Sequence, residues 1–434
     1  MLPEARSPGT ANKNDEAETL DPYAPPKLVF VHIMKTAGTS LYRWLQRHYR
    51  HEDILTEASN WGGYWGLPQE IRDSKLFVRG HFGSYITKFH GAAQGFRAIS
   101  VLRDPVDRAI SHYFHGKSAP DSGAIGKAIN GEKLSLDEFF EHPRCVPFAC
   151  NFQVRNFAYD LDADYETQKL GPAQMFKGPL GDRELRNAIK FLESLDLIGF
   201  TESLPEFVAS LSQATGFFPD DDLGRSRGYR DGKLKLDPGT EKRIREANAL
   251  DIELYEWARN HTSKAKPIMN FNWLRKRQRN PIDLTGQVLY RWRVQDPFFG
   301  TGWSDVQGTD TVRVPGHRWS INGEEATLRI AVDPDTKYLM VMEILRFVRS
   351  EQGQHFSLYA NGKNLDLTGP TPFEHASDGG GLFLATLPPT GEKTCELKFK
   401  VALLKSFSSV NSIDTDRMLR GLALSAITFI KAES

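Results

Sequence analysis

Three things are scarce in these 434 residues: cysteine, net charge and unbroken apolar sequence. The cysteines number only three, Cys145, Cys150 and Cys395. So sparse and odd a set excludes a disulfide framework and a four-thiolate zinc site. Cys145 and Cys150 are near enough in sequence to pair across a short loop, but buried or free thiols are the reading preferred here. The 55 basic and 55 acidic side chains cancel to a formal charge of zero. That balance argues against a nucleic-acid binder held mainly by phosphate contacts. Local basic clusters can still hold a small polyanion. No apolar run approaches the length of a membrane span, and residues 1–26 lack the apolar centre of a secretory signal. A cytoplasmic, bacterial setting is therefore expected.

What is present is the texture of a globular protein, 40% hydrophobic and 25% charged, in a chain long enough for two domains. Residues 1–26 are polar and end in Ala24-Pro25-Pro26, as a disordered tail would. From Lys27 a repeated grammar begins. Leu28-Val29-Phe30-Val31 reads as a strand buried on both faces, followed by Leu41, Trp44, Leu45 and His48 at helical spacing. Leu76-Phe77-Val78 and Ile99-Ser100-Val101-Leu102 read as further strands. A helix around Leu185, Ile189 and Leu192 precedes the strand-like Leu197-Ile198-Gly199-Phe200, and a long helix is expected over 239–261. Strands alternating with helices predict an α/β unit whose parallel sheet is covered on both sides.

The grammar changes near residue 267. The basic stretch 267–285 suits a linker between an α/β domain over 27–266 and a second domain over 286–434. In the second, Ala326, Leu328, Ile330 and Val332 alternate with polar residues, as do Cys395, Leu397, Phe399 and Val401. Asn361-Gly362 between apolar segments is a hairpin signal. An all-β sandwich is expected.

The most informative string is His32-Ile33-Met34-Lys35-Thr36-Ala37-Gly38-Thr39-Ser40, between a buried strand and a helix N-terminus. Unpaired backbone N–H groups and the positive end of the helix dipole converge there. Gly38 lets the backbone approach an anion, Thr36, Thr39 and Ser40 supply hydroxyls, and Lys35 supplies a charge. The string is neither the nucleotide-triphosphate P-loop nor the Gly-x-Gly-x-x-Gly dinucleotide pattern. These residue types describe a cradle for phosphate or sulfate; the plain alternative is a polar turn with an exposed lysine. A second element, Arg103-Asp104-Pro105, also follows a buried strand. Asp104 suits a helix cap and Pro105 the first turn, with Ser111 two turns in.

The first string resembles the His-Ile-Pro-Lys-Thr-Ala-Gly-Thr-Ser loop of a sulfotransferase family that includes the heparan sulfate 2-O-sulfotransferases and bacterial relatives. Met34 stands where that family usually has proline. The resemblance implies a sulfotransferase fold with a P-loop-like, three-layer parallel sheet. It implies 3′-phosphoadenosine 5′-phosphosulfate as donor, with Lys35 at the transferring group and Thr36, Ala37, Gly38, Thr39 and Ser40 around the 5′-phosphate. Arg103 and Ser111 match the family's 3′-phosphate element. Weaker matches are Asn151-Phe152-Gln153-Val154-Arg155 and Ile198-Gly199-Phe200-Thr201-Glu202. The basic loop holding Arg225 and Arg227 is a candidate to close over the nucleotide.

Sulfuryl transfer needs in-line geometry, a counter-charge for the leaving oxygen and a base for the acceptor proton. Lys35 suits the second need, and no metal is expected. His81 is the expected base: it follows a strand at the carboxyl edge of the sheet, and imidazole titrates near neutral pH. Gly80-His81-Phe82 also resembles the Gly-His segment that supplies the base in the 2-O enzymes. Competitors are His32, expected to pack at the strand end, His112, His115, Glu57 and Glu70. The acceptor expected is a carbohydrate or glycoconjugate hydroxyl. Phe299-Gly300-Thr301-Gly302-Trp303 and Arg318-Trp319-Ser320 resemble an accessory sandwich of some glycan-modifying enzymes, with Trp303 open to either sugar stacking or the core and Trp319 expected in the core. A phosphoryl transferase and a degenerate nucleotide- or glycan-binding module are the competing classes. The first lacks its triphosphate loop here, and the second predicts loss of Lys35 or Arg103, both present.

Overall fold

A computed structural model describes residues 25–120, 123–161, 176, 178–217, 236–261, 281–308, 315–321, 323–402, 404–406 and 419–432. Four short strands, β1 (Leu28–Val31), β2 (Phe77–Gly80), β3 (Arg97–Leu102) and β4 (Leu197–Phe200), pair in parallel in the order β2-β1-β3-β4. Strand β1 is central, with Val31 beside Gly80 on one side and Ser100 on the other.

Alternation along the strands divides their side chains between two cores. Leu28, Phe30, Phe77, Ile99 and Val101 pack with Leu41, Trp44 and Leu45 of the helix Gly38–Leu45 and with the helix Leu204–Thr215. Val29, Val31, Val78, Ala98 and Leu102 pack on the other face against the helices Phe152–Phe157, Asp182–Ser194 and Ala249–His261. The expected sheet, covered on both sides, is therefore present in three layers. The helix expected over 239–261 is instead two, Pro238–Ala247 and Ala249–His261. The break falls at buried Asn248, whose side-chain oxygen accepts from the Asn151 backbone N–H (3.0 Å).

Beyond residue 281, strand pairing within the sheets is antiparallel among the described residues. One sheet runs β10-β9-β13-β7, where β7 is Glu325–Ala331, β9 Phe356–Ala360, β10 Lys363–Leu365 and β13 Thr394–Val401. The other runs β11-β12-β8-β14-β5, with β6 also paired to β14. Its strands are β5 (Leu289–Arg293), β6 (Arg318–Ile321), β8 (Tyr338–Phe347), β11 (Leu367–Thr371), β12 (Gly381–Leu387) and β14 (Arg420–Lys431). Leu328, Leu358 and Phe399 of the first sheet meet Met342, Phe383 and Ile427 of the second in one core. Asn361 and Gly362 take positive φ values of 47° and 78°, as a tight hairpin between β9 and β10 requires.

Two sequence expectations need adjustment here. Ile282 and Leu284, placed in the linker, are fully buried in the sandwich core, because backbone bonds between this segment and Ala331 lay it along the sheet edge. Trp303, open to sugar stacking, is core as well: it is 3% exposed, and its indole N–H donates to the Thr327 carbonyl (2.9 Å). Trp319 packs, as expected, in a separate small cluster with Ile321, Leu345 and Val348. Neither indole has a face open to a ligand. Cys145, Cys150 and Cys395 are free thiols, Cys145 and Cys395 buried.

Candidate active site

Because β1 lies between β2 and β3, the loops that leave the carboxyl ends of these strands are neighbours. They carry Lys35, His81 and Arg103, at the edge where open parallel sheets bind ligands. The three residues singled out from separate stretches of sequence thus converge on one edge.

The loop after β1 has an unusual backbone. Lys35 (φ 74°) and Ala37 (φ 59°) are both left-handed although neither is glycine. Each such residue costs roughly 1–3 kcal/mol and persists only where its surroundings impose it. One restraint is local: the Thr36 hydroxyl, buried, donates to the Ile33 carbonyl (3.0 Å). Another comes from β3, where the Arg103 guanidinium donates to the Lys35 carbonyl (3.1 Å). Alternating left-handed residues turn successive backbone N–H groups toward one concavity, an anion nest, at the start of the helix Gly38–Leu45. A Cβ on Gly38 would lie 1.8 Å from His32 Nε2, so only glycine admits the His32 ring there.

Lys35 is not an exposed surface lysine. Burial, and then Arg103, lower its pKa to about 8. Lys35 and Arg103 are two cations brought to one place, an arrangement suited to an anion. Arg103 itself is fixed from behind. Its backbone N–H donates to Gln153 Oε1 (3.1 Å), and Gln153 Nε2 donates back to the Arg103 carbonyl (2.9 Å). Gln153 and Val154 give their backbone N–H groups to the two oxygens of buried Asp251 (3.0 and 2.7 Å). The Asn151–Arg155 segment therefore positions the Arg103 turn. Asp104 caps the next helix, Pro105–Ser118, accepting from the Val106 and Asp107 N–H groups (3.0 Å each). Glu202 accepts from the Asp104 N–H (2.9 Å), tying in the late strand–helix segment. Thr39 and Ser111 are half-buried and Ser40 is buried. Ser111 lies on the Pro105–Ser118 helix, with no contact to Arg103 observed; Arg225 and Arg227 lie outside the described residues.

His81 follows β2 and is largely enclosed. Burial, with a smaller contribution from Arg79, lowers its pKa, while a hydrogen bond to the His32 backbone works against them. Its Nδ1 is buried without a partner. Burial favours the neutral imidazole, the form able to take a proton, and its Nδ1 is enclosed in this structure. The His32 ring lies 4.7 Å from that of His81 and stacks on Phe30 (5.3 Å). Its pKa is driven well down by burial, then by His81, Arg79 and Lys35. It packs at the strand end, as expected. His112 is buried beside Arg108 and His115 is exposed. Glu57 is engaged by Lys75 (2.8 Å), and Glu70 is exposed on the short helix Gln69–Asp73.

Sequence reasoning missed Arg79. Its guanidinium lies 4.2 Å from the centre of the Tyr42 ring, two residues before His81 and near enough to lower that imidazole's pKa. The available signal was a charged residue inside an otherwise apolar strand.

Comparison with known proteins points to the sulfotransferases as the class this chain is similar to. Heparan-sulfate 6-O-sulfotransferase 2 of Danio rerio is 24% identical over 332 residues, covering 62% of this chain and 68% of that protein. Heparan-sulfate 6-O-sulfotransferase 1 of Gallus gallus is 25% identical over 273 residues, covering 54% of this chain and 65% of that protein. The sequence resemblance was to 2-O enzymes; these relatives are 6-O enzymes. No protein-family model matches the chain. Among solved structures, the C-terminal CBM6 of LamC from Zobellia galactanivorans is 11% identical over 33% of this chain and 99% of its own, with a TM-score of 0.22. A family 35 carbohydrate binding module from Clostridium thermocellum is 8% identical over 33% of this chain and 98% of its own, with a TM-score of 0.20. The role of the sandwich must accordingly be argued from its own residues.

Proposed function

We propose that this protein is a carbohydrate sulfotransferase that moves a sulfuryl group from 3′-phosphoadenosine 5′-phosphosulfate to a hydroxyl of a glycan. The observation that carries the reading is the junction of Arg103 with the Lys35 loop at 3.1 Å. It joins two cationic anion-binding elements at the carboxyl edge of adjacent strands, in a chain similar to sulfotransferases. A donor with phosphate groups at both ends of one adenosine fits two such elements. The nest, the glycine forced at position 38 and the Lys35–Arg103 pairing all favour a polyanion.

In this reading the backbone N–H groups of 36–39 hold the 5′-phosphate beside Ser40, and Arg103, with Ser111, faces the 3′-phosphate. His81 takes the proton of the acceptor hydroxyl as its oxygen bonds to sulfur. Lys35 neutralises the charge that gathers on the departing phosphate oxygen as the sulfur–oxygen bond breaks. The product is the sulfate ester and adenosine 3′,5′-bisphosphate. The test is transfer of radiolabelled sulfate from the donor to a panel of glycans that includes heparan sulfate. Labelled glycan supports the reading; a folded protein that labels none of them, while peptides or lipids are labelled, removes the carbohydrate assignment.

A further inference from the structure

The sandwich reaches the helix that begins at the anion nest. Asp305, in the loop between β5 and β6, accepts a hydrogen bond from the Tyr42 hydroxyl (3.1 Å) and one from the Gln46 carboxamide. The Arg43 guanidinium lies 3.9 Å from the same carboxylate. One turn further on, Arg47 donates to the Gly300 carbonyl (2.7 Å), and its own carbonyl accepts from the Phe298 N–H (3.3 Å). The His51 N–H donates to the Gln295 carbonyl (3.1 Å). The sandwich segment 295–305 thus grips residues 42–51 along their length.

The grip bears on the site for two reasons. The helix Gly38–Leu45 has only eight residues, and its first turn must hold Lys35 and Ala37 in left-handed conformations. Strain of that kind lasts only if the helix cannot slide or tilt to relieve it. Tyr42 also covers Arg79 (4.2 Å), whose charge acts on His81 two residues further on. The hydroxyl of that tyrosine ends on Asp305.

From these contacts we infer that the sandwich is a working part of the transfer site, with Asp305 as a positioning residue that seats the nest helix and, through Tyr42, Arg79 beside His81. The inference rests on the donor site proposed above. Asp305 lies far along the chain from the nest, and its side-chain contacts there are with Tyr42, Arg43 and Gln46. Its action is carried by the helix. A sandwich that served only to dock glycan would need no carboxylate directed at this helix.

The test is calorimetric titration of the full chain with adenosine 3′,5′-bisphosphate, well below the melting temperature of each variant. Asp305→Ala should weaken binding on the order of tenfold, whereas Asp305→Asn, which keeps an acceptor oxygen for Tyr42, should stay within about twofold of the wild type. Tyr42→Phe should weaken binding about threefold, and its combination with Asp305→Ala should match Asp305→Ala alone rather than the product of the two effects. Arg291→Ala, which breaks an exposed sandwich ion pair with Glu343 (2.7 Å), should leave binding unchanged. Wild-type affinity in Asp305→Ala, or Asp305→Asn as weak as Asp305→Ala, overturns the inference. If Asp305→Ala does not fold, Tyr42→Phe decides alone, since it removes a single oxygen. A folded wild-type protein that fails to bind the nucleotide rejects the donor site itself, a separate result.

Discussion

Raising the pH should dismantle nucleotide binding through a single side chain. Burial, then Arg103, bring the Lys35 ammonium down to about 8, so it is charged below that pH and neutral above it. Burial keeps His32, His81 and His112 neutral from pH 7 upward. Phosphate second ionisations lie near 6, and arginines stay charged, so little else near the nest changes over this interval. With a pKa of about 8, Lys35 is about 90% charged at pH 7 and about 3% charged at about pH 9.5. If the charged form alone binds, apparent affinity falls about thirtyfold, equivalent to about 2 kcal/mol. The fall starts near pH 8 and approaches tenfold per pH unit above it, as binding by the charged form alone requires. Unfolding through Lys35 is not the cause: its folded pKa is below the unfolded one, so losing this proton favours the fold as pH rises from about 8. The assay is calorimetry with adenosine 3′,5′-bisphosphate across this range, with circular dichroism to verify the fold. Lys35→Arg should bind with a nearly flat profile. A flat wild-type profile, or a Lys35→Arg profile that falls in parallel, refutes the assignment of Lys35 to the anion.

Arg103→Ala removes both a cation and the restraint on the Lys35 carbonyl, so adenosine 3′,5′-bisphosphate should bind about tenfold to a hundredfold more weakly. An unchanged dissociation constant would separate Arg103 from the nucleotide. His81→Ala should lower kcat for sulfate transfer by roughly a hundredfold to ten-thousandfold while leaving nucleotide affinity within about threefold; normal turnover moves the base elsewhere. Gly38→Ala sets a methyl group 1.8 Å from His32 Nε2 and should abolish nucleotide binding in the same titration. Adding His32→Ala to that variant should restore part of it, and no restoration would mean that the loop backbone itself demands glycine.

The parts of this molecule legible in its sequence are those specified by short-range physics. The four parallel strands announced themselves because each is buried on both faces, and Asp104 and Pro105 announced a helix start because their roles are local. The nest was legible for the same reason: its hydroxyls, lysine and glycine lie within nine consecutive residues. What joins those parts was not. Gln153 brackets Arg103 from fifty residues away, and Asn248 breaks a helix to meet Asn151. Periodicity shows only that such residues are polar and sit where apolar ones would suit, as Arg79 does on β2. Trp303 illustrates the converse. An aromatic near the start of a β domain suits a sugar platform or a core equally well in sequence, and only its burial at 3% exposure in the assembled sandwich decides. Asp305 is the extreme case, acting on Tyr42 across 263 residues. A carboxylate in a polar loop carries no periodic signal, so its partner emerges only when two separately folded layers meet. That is why the loop carrying Lys35 could be placed from sequence, while its contacts with the sandwich required the assembled chain.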